Sequence, residues 1–220
     1  MRWGTVRNRA GALLLPGPFR TAGAALLAAC VAVALGAFVA GRGRPGWLDT
    51  TVDPRIQAGL SRFPALLNWL PHLGTLGPVA LMTLALAVAY ALARRWSGAV
   101  LAVVAVPAAI ALTEYVLKPY VGARIGQSFP SGHATSSFAL AVIFAMLLAT
   151  RFPGKLRLLL ALLALLLAAA VAAAMVAIGA HTFTDAVAGA AVGSGVVLAC
   201  ALTLDLITAL ARRQGWRGEG

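Results

Sequence analysis

Six apolar segments, each close to the roughly 20 residues a membrane-spanning helix needs, occupy most of this 220-residue chain. They cover residues 21–41, 76–93, 98–117, 134–150, 158–179 and 186–211. Hydrophobic residues make up 61% of the chain and charged residues 11%, with a mean hydropathy of +0.90. Soluble domains are about half apolar and about a quarter charged, and disorder requires low hydrophobicity. A cytosolic globule and a disordered chain are both excluded. The expectation is an all-α fold: a polytopic membrane protein, six transmembrane helices in one bundle spanning 1–220.

The spans carry further signals. Leu and Ala fill the last three, and both are strong helix formers. Pro107 should kink the third. Trp3, Trp47, Trp69, Trp96 and Trp216 all fall outside the spans or at their edges, as an interfacial aromatic belt requires. The first span could be a cleaved signal, but its apolar run is longer than the usual core of about 7–15 residues, and a basic lead-in of some twenty residues precedes it. Cys30 and Cys200 both lie inside apolar runs, where a buried packing role outweighs a disulfide or a metal site.

The formal net charge is +12. In a soluble protein this would suggest nucleic acid. Here the basic residues sit in short stretches between apolar runs, so they read as topology and headgroup charges, and membrane lipids rather than nucleic acid are the expected partners. Of the 18 basic residues, 12 fall on the side of the two termini and 6 on the other. The positive-inside rule then places both termini in the cytoplasm, with a cytoplasmic segment over about 1–20, a cytoplasmic tail over about 212–220, and a bacterial-type inner membrane as the setting. The outer loop of about 42–75 repeats Ile56, Leu60, Phe63 and Leu67 at helical spacing, interrupted by Pro64. An interfacial amphipathic helix is expected there, acting either as a lid over a lipid entry or as a simple spacer.

Polar residues are scarce, so their clustering is informative. The third connection contains Lys118, Arg124, Ser131, Gly132 and His133, and the fifth contains His181 and Asp185. Both fall on the expected outer face. Ionisable groups near a membrane core are costly and mark functional sites by default. Lys118 and Arg124 supply positive charge, and Ser131 with Gly132 opens the fourth span, where helix N-terminal amides suit an anion. His181 and Asp185 are an i, i+4 pair. The carboxylate can fix the tautomer of the imidazole and leave its other nitrogen free to attack. His133 is available as general acid. Glu114, one turn before Lys118, is expected to pair with it and aim the ammonium. Two histidines and one Asp, without a nearby Cys or Glu, make a poor structural zinc set. Together these are the parts for phosphoryl transfer through a phosphohistidine; each alone reads as a local helix pair or a turn followed by a cap.

These motifs resemble the type-2 phosphatidic acid phosphatase family, integral-membrane lipid phosphate phosphatases related to vanadium haloperoxidases. Members carry K-x-x-x-x-x-x-R-P, then P-S-G-H, then S-R-x-x-x-x-x-H-x-x-x-D. Residues 130–133 match the second motif in full, and His181 with Asp185 match the end of the third. The resemblance implies His181 as nucleophile, Asp185 as its orienting partner and His133 as general acid. Lys118, Arg124, Ser131 and the Gly132 amide would bind phosphate, with no metal and no cofactor. Arg124 lies one position short of the family spacing, with Ile125 and Gly126 where that motif has Arg-Pro, and Ala174 and Met175 replace the Ser-Arg of the third. The expected activity is hydrolysis of a terminal phosphate from a lipid: a polyprenyl phosphate or diphosphate, a polyprenyl-linked sugar phosphate, or a glycerophospholipid phosphate. A phosphotransferase with the same intermediate and a catalytically silent lipid-binding or transport protein are the alternatives.

Overall fold

The computed structural model describes residue 14 and residues 23–29, 46–120, 129–152 and 154–215. Among these every regular element is a helix, and there is no strand. A short helix α1 (residues 23–29) is followed by α2 (Trp47–Leu60), α3 (Pro64–Leu73), α4 (Leu76–Leu92), α5 (Trp96–Tyr120), α6 (Gly132–Arg151), α7 (Gly154–Ala177) and α8 (Phe183–Gly215).

Four helices are long and apolar enough to cross a membrane: α5, α6, α7 and α8. A fifth crossing requires α3 and α4 together, and that pair is bent by 60°. The described residues, which hold five of the six expected spans, thus give four to five crossings. Gly74 and Thr75 end α3 and start α4, so the second apolar run is a helix of 17 residues with α3 set at an angle before it. The first expected span lies outside the described residues except for 23–29, as do Cys30, Arg124 and nearly all of segment 1–20. Of the expected tail, residues 212–215 continue α8.

The described part of segment 42–75 holds two helices, α2 and α3. Phe63 lies at the break, and Pro64 opens α3, a position where its missing N–H costs nothing. Helix α5 runs through Pro107 without ending, and its departure from α geometry comes later, as a π segment over Leu112–Leu117. Such segments recur at functional sites.

Helix α6 is central, packed against α4, α5, α7 and α8. Its contacts use small residues: Ala102, Ala105, Ala109, Ala139 and Ala201 are fully buried, while Leu81, Leu84, Leu159 and Leu166 point outward. Lipid tails are as apolar as Leu, so membrane helices gain contact through small residues that let backbones approach. Gly189 and Gly193 of α8 do this most closely. A Cβ at Gly189 would strike the Ser131 carbonyl, and one at Gly193 the Thr135 carbonyl. This presses α8 against the first turns of α6.

Helices α4 and α7 both pack on α6, and α3 bridges them at one end by packing on α7 and leading into α4. Between them lies an apolar cleft of about 530 Å³, lined by Leu73, Leu86, Ser137, Phe144, Leu163 and Ala168 among others. A second hollow of about 460 Å³ shares Phe144, Leu147 and Leu160 with it and reaches Phe152.

Candidate active site

The site forms where the N-termini of α6 and α8 meet. Ser131 is the N-cap of α6, its Oγ accepting from the Ala134 amide at 3.4 Å. Its carbonyl accepts from the Thr135 amide and hydroxyl, both at 3.0 Å, and its own amide donates to the Asp185 carbonyl at 3.0 Å. Ser131 is fully buried, and its hydroxyl caps the helix. The amides of Gly132 and His133 belong to the first turn, which has no intrahelical acceptor to offer.

His181 stands just after α7. That helix ends in a Schellman motif: Gly179 has a φ of 75°, its amide donates to the Val176 carbonyl, and the Ala180 amide donates to the Met175 carbonyl, each at 3.0 Å. The His181 amide also reaches the Met175 carbonyl, at 3.3 Å. Met175, where the family motif has Arg, thus contributes its backbone to the turn that carries His181, and its side chain is buried.

The imidazole Nδ1 lies 3.4 Å from Asp185 Oδ2, and both side chains are nearly inaccessible. Donation from Nδ1–H to the carboxylate leaves Nε2 as the nitrogen with a free lone pair. Asp185 Oδ2 also accepts from the Thr182 amide at 3.1 Å, while Oδ1 is buried with no partner among the described residues.

Lys118 Nζ donates to both oxygens of Glu114, at 2.6 and 2.8 Å. The pair leans over the start of α6, since a Cβ on Gly132 would meet Glu114 Oε1 and lie 3.6 Å from Lys118 Nζ. His133 projects from the same first turn against Gly74, where a Cβ would come within 2.6 Å of its ring. His133, His181, Asp185, Lys118, Glu114, Ser131 and Gly132 are therefore held by the adjoining ends of α5, α6, α7 and α8.

Two acids at this place were not anticipated from the sequence. Asp49 Oδ1 accepts from the Thr184 amide at 2.9 Å, and its Oδ2 from the Thr184 hydroxyl at 3.0 Å. Asp53 Oδ1 accepts from the Phe183 amide at 2.9 Å. Burial pushes the Asp53 carboxyl above its ordinary value of 3.8; the Phe183 amide opposes this, and the nearby Asp49 and Asp185 add to it. No three acid, His or Cys side chains converge as a metal cage among the described residues. The available signal was the i, i+4 spacing of two acids in a chain that has only six.

A family model of the PAP2 superfamily matches residues 17–208. The match covers most of the chain, which belongs to that superfamily, the type-2 phosphatidic acid phosphatase family. Its members are phosphatases acting on phosphate esters, often those of lipids. No curated protein and no solved structure matches the chain.

Proposed function

We propose that this protein is a membrane phosphatase that removes a terminal phosphate from a lipid through a phosphohistidine on His181. The apolar cleft beside the site carries the lipid reading. Leu73 lines its outer end next to the Gly74 contact with His133, and Ser137, one turn below His133, lines its floor. From Ser137 to Phe152 the α6 axis advances about 22 Å at roughly 1.5 Å per residue. A hydrocarbon leaflet is about 15 Å deep, half of the roughly 30 Å core, so a long apolar chain can lie in the cleft with its phosphate at the histidines.

In this reading the phosphate sits over the Gly132 and His133 amides and the Lys118 ammonium. Nε2 of His181 attacks phosphorus in line with the lipid oxygen. The P–O bond to the lipid breaks as the P–N bond forms, and His133 gives its proton to the departing oxygen. Asp185 holds the Nδ1 proton and stabilises the imidazole as it takes on charge. Water then attacks the phosphohistidine with His133 accepting its proton, and phosphate and free His181 are restored. The substrate class is a polyprenyl phosphate or diphosphate, a polyprenyl-linked sugar phosphate, or a glycerophospholipid phosphate. The 12-to-6 division of basic residues supports cytoplasmic termini and a site facing the outer leaflet.

Buried Met175 and Ala174 in place of the family Arg and Ser favour one rival, a lipid-binding protein without turnover. One experiment separates the two: phosphate release by the purified full-length protein from a panel of lipid phosphates in mixed micelles. Wild type should turn over at least one long-chain substrate, and His181→Ala should lose about 10⁴-fold or more in kcat. Ala168→Phe, which fills the cleft, should lower kcat/KM for long-chain substrates more than for a short-chain analogue. Turnover that survives His181→Ala would exclude the mechanism; equal effects of Ala168→Phe on both substrates would exclude the cleft as the tail site.

A further inference from the structure

The turn bearing His181 is gripped from outside by a helix distant in sequence. Four consecutive amides open α8, and each donates to a side chain: Thr182 to Asp185 Oδ2, Phe183 to Asp53 Oδ1, Thr184 to Asp49 Oδ1, and Asp185 to Thr182 Oγ1. The two shortest of these bonds, both 2.9 Å, go to α2. On the other side of the same turn, Gln57 Nε2 donates to the Val176 carbonyl at 3.4 Å. Asp49, Asp53 and Gln57 are spaced i, i+4 and i+8 and share one face of α2. That face straddles the last turn of α7 and the first turn of α8, with His181 between its two anchors.

A helix N-terminus needs no such help merely to form. A local Ser, Thr or Asp caps it adequately, and Thr182 and Asp185 already supply two acceptors. Bringing in carboxylates from 130 and 135 residues away means desolvating charge, which burial alone disfavours. Asp49 is only 2% exposed and is itself fixed by the Gly46 amide at 3.2 Å. The return on that arrangement is position. The amides of residues 183 and 184 lie between His181 and Asp185 along the chain and determine how the imidazole approaches its carboxylate.

We propose that Asp49 and Asp53 are positioning residues for His181: by holding the start of α8 from α2, they keep Nδ1 on Asp185 and Nε2 aimed at the phosphate. The inference rests on the phosphohistidine reading. It assigns α2 a part in the chemistry that neither an interfacial lid nor a spacer would have. A misplacement of about 1 Å costs on the order of 10²-fold in rate, so Asp49→Ala should lower kcat 10- to 100-fold with KM within about twofold. Asp53→Ala should lower kcat by about tenfold, and Asp53→Asn, which keeps an acceptor for the Phe183 amide, should restore most of it.

The test uses full-length protein in detergent, with phosphatidic acid and farnesyl diphosphate in mixed micelles as probes. A second readout needs no turnover: the rate at which diethylpyrocarbonate modifies His181, followed by mass spectrometry with exposed His72 as internal reference. Nearly inaccessible His181 should react several-fold faster in Asp49→Ala and Asp53→Ala than in wild type, and at the wild-type rate in Asp53→Asn. Unchanged labelling and unchanged kcat would overturn the proposal. So would a loss of thermal stability with normal labelling, or failure of Asp53→Asn to rescue. Wild-type turnover in His181→Ala would instead overturn the nucleophile reading itself, a result that no α2 variant can produce.

Discussion

The N-termini of α6 and α8 touch, joined by the bond from the Ser131 amide to the Asp185 carbonyl, yet their first turns are finished differently. At α8 every amide from Thr182 to Asp185 has a side-chain acceptor, and three of those four bonds end on carboxylates. At α6 only Ser131 caps, and it serves Ala134; the Gly132 and His133 amides meet no acceptor among the described residues, and Lys118 lies above them. Both ends carry the same partial positive charge. The protein cancels it at one with its own acids and leaves it available at the other. On the proposed reading, an incoming phosphate is repelled from α8 and drawn to α6, while His181 in the turn before α8 supplies the nucleophile. On that reading one dipole end would bind the group to be transferred, and its neighbour would fix the atom that attacks it.

The largest effect should come from separating the two ends. Gly189→Leu would drive a side chain into the Ser131 carbonyl, and overpacking at a backbone contact should cost about 3 kcal/mol, the upper end of the usual range. A thermal melt in detergent should show a large fall in Tm, and a wild-type melt would mean that the two helix ends are not held by this contact. Removing the cation at α6 comes next. Lys118→Met should lower kcat/KM about 100-fold, as expected for a charge-assisted bond to an anion, whereas Glu114→Gln should lower it only a few-fold with little change in Tm. Normal kinetics in Lys118→Met would place the phosphate elsewhere.

The smallest effect concerns charge at α8. Because the folded-state carboxyl of Asp53 lies above 3.8, the folded protein holds that proton to higher pH than the unfolded chain does. Its ionisation therefore removes stability as pH rises from 3.8 through the folded value. Asp53→Asn, which cannot ionise, should match wild type below pH 3.8 and melt higher above the window, by a few degrees in Tm. A wild-type advantage at neutral pH would reverse the sign of this argument.

Local pairs were legible from the sequence because helical spacing brings them together whatever the rest of the fold does: Glu114 with Lys118, and His181 with Asp185. So was the apolar length of α5, α6, α7 and α8, since hydropathy alone sets it. What depends on tertiary packing was not. Asp49 and Asp53 reach α8 across more than a hundred residues, and no periodicity announces such a bond. The close approach of Gly189 and Gly193 had a signal, two glycines four apart in an apolar run, but their partner carbonyls on α6 had none. The bend at Gly74 also escaped a window that measures apolar length without direction. The cleft was invisible for a related reason: side-chain periodicity indicates which face of a helix is apolar, not which two helices leave space between them.

That cleft carries a kinetic consequence. It lies between α4 and α7 and is floored by α6, so on the proposed reading a bound lipid need never leave the bilayer to place its phosphate at the histidines. Encounter then becomes diffusion in two dimensions, and the quantity that saturates the enzyme is the mole fraction of substrate among surrounding lipids rather than its bulk concentration. Adding inert lipid or detergent at constant total substrate should slow the reaction by surface dilution. Comparisons between substrates or variants are then meaningful only at matched surface composition.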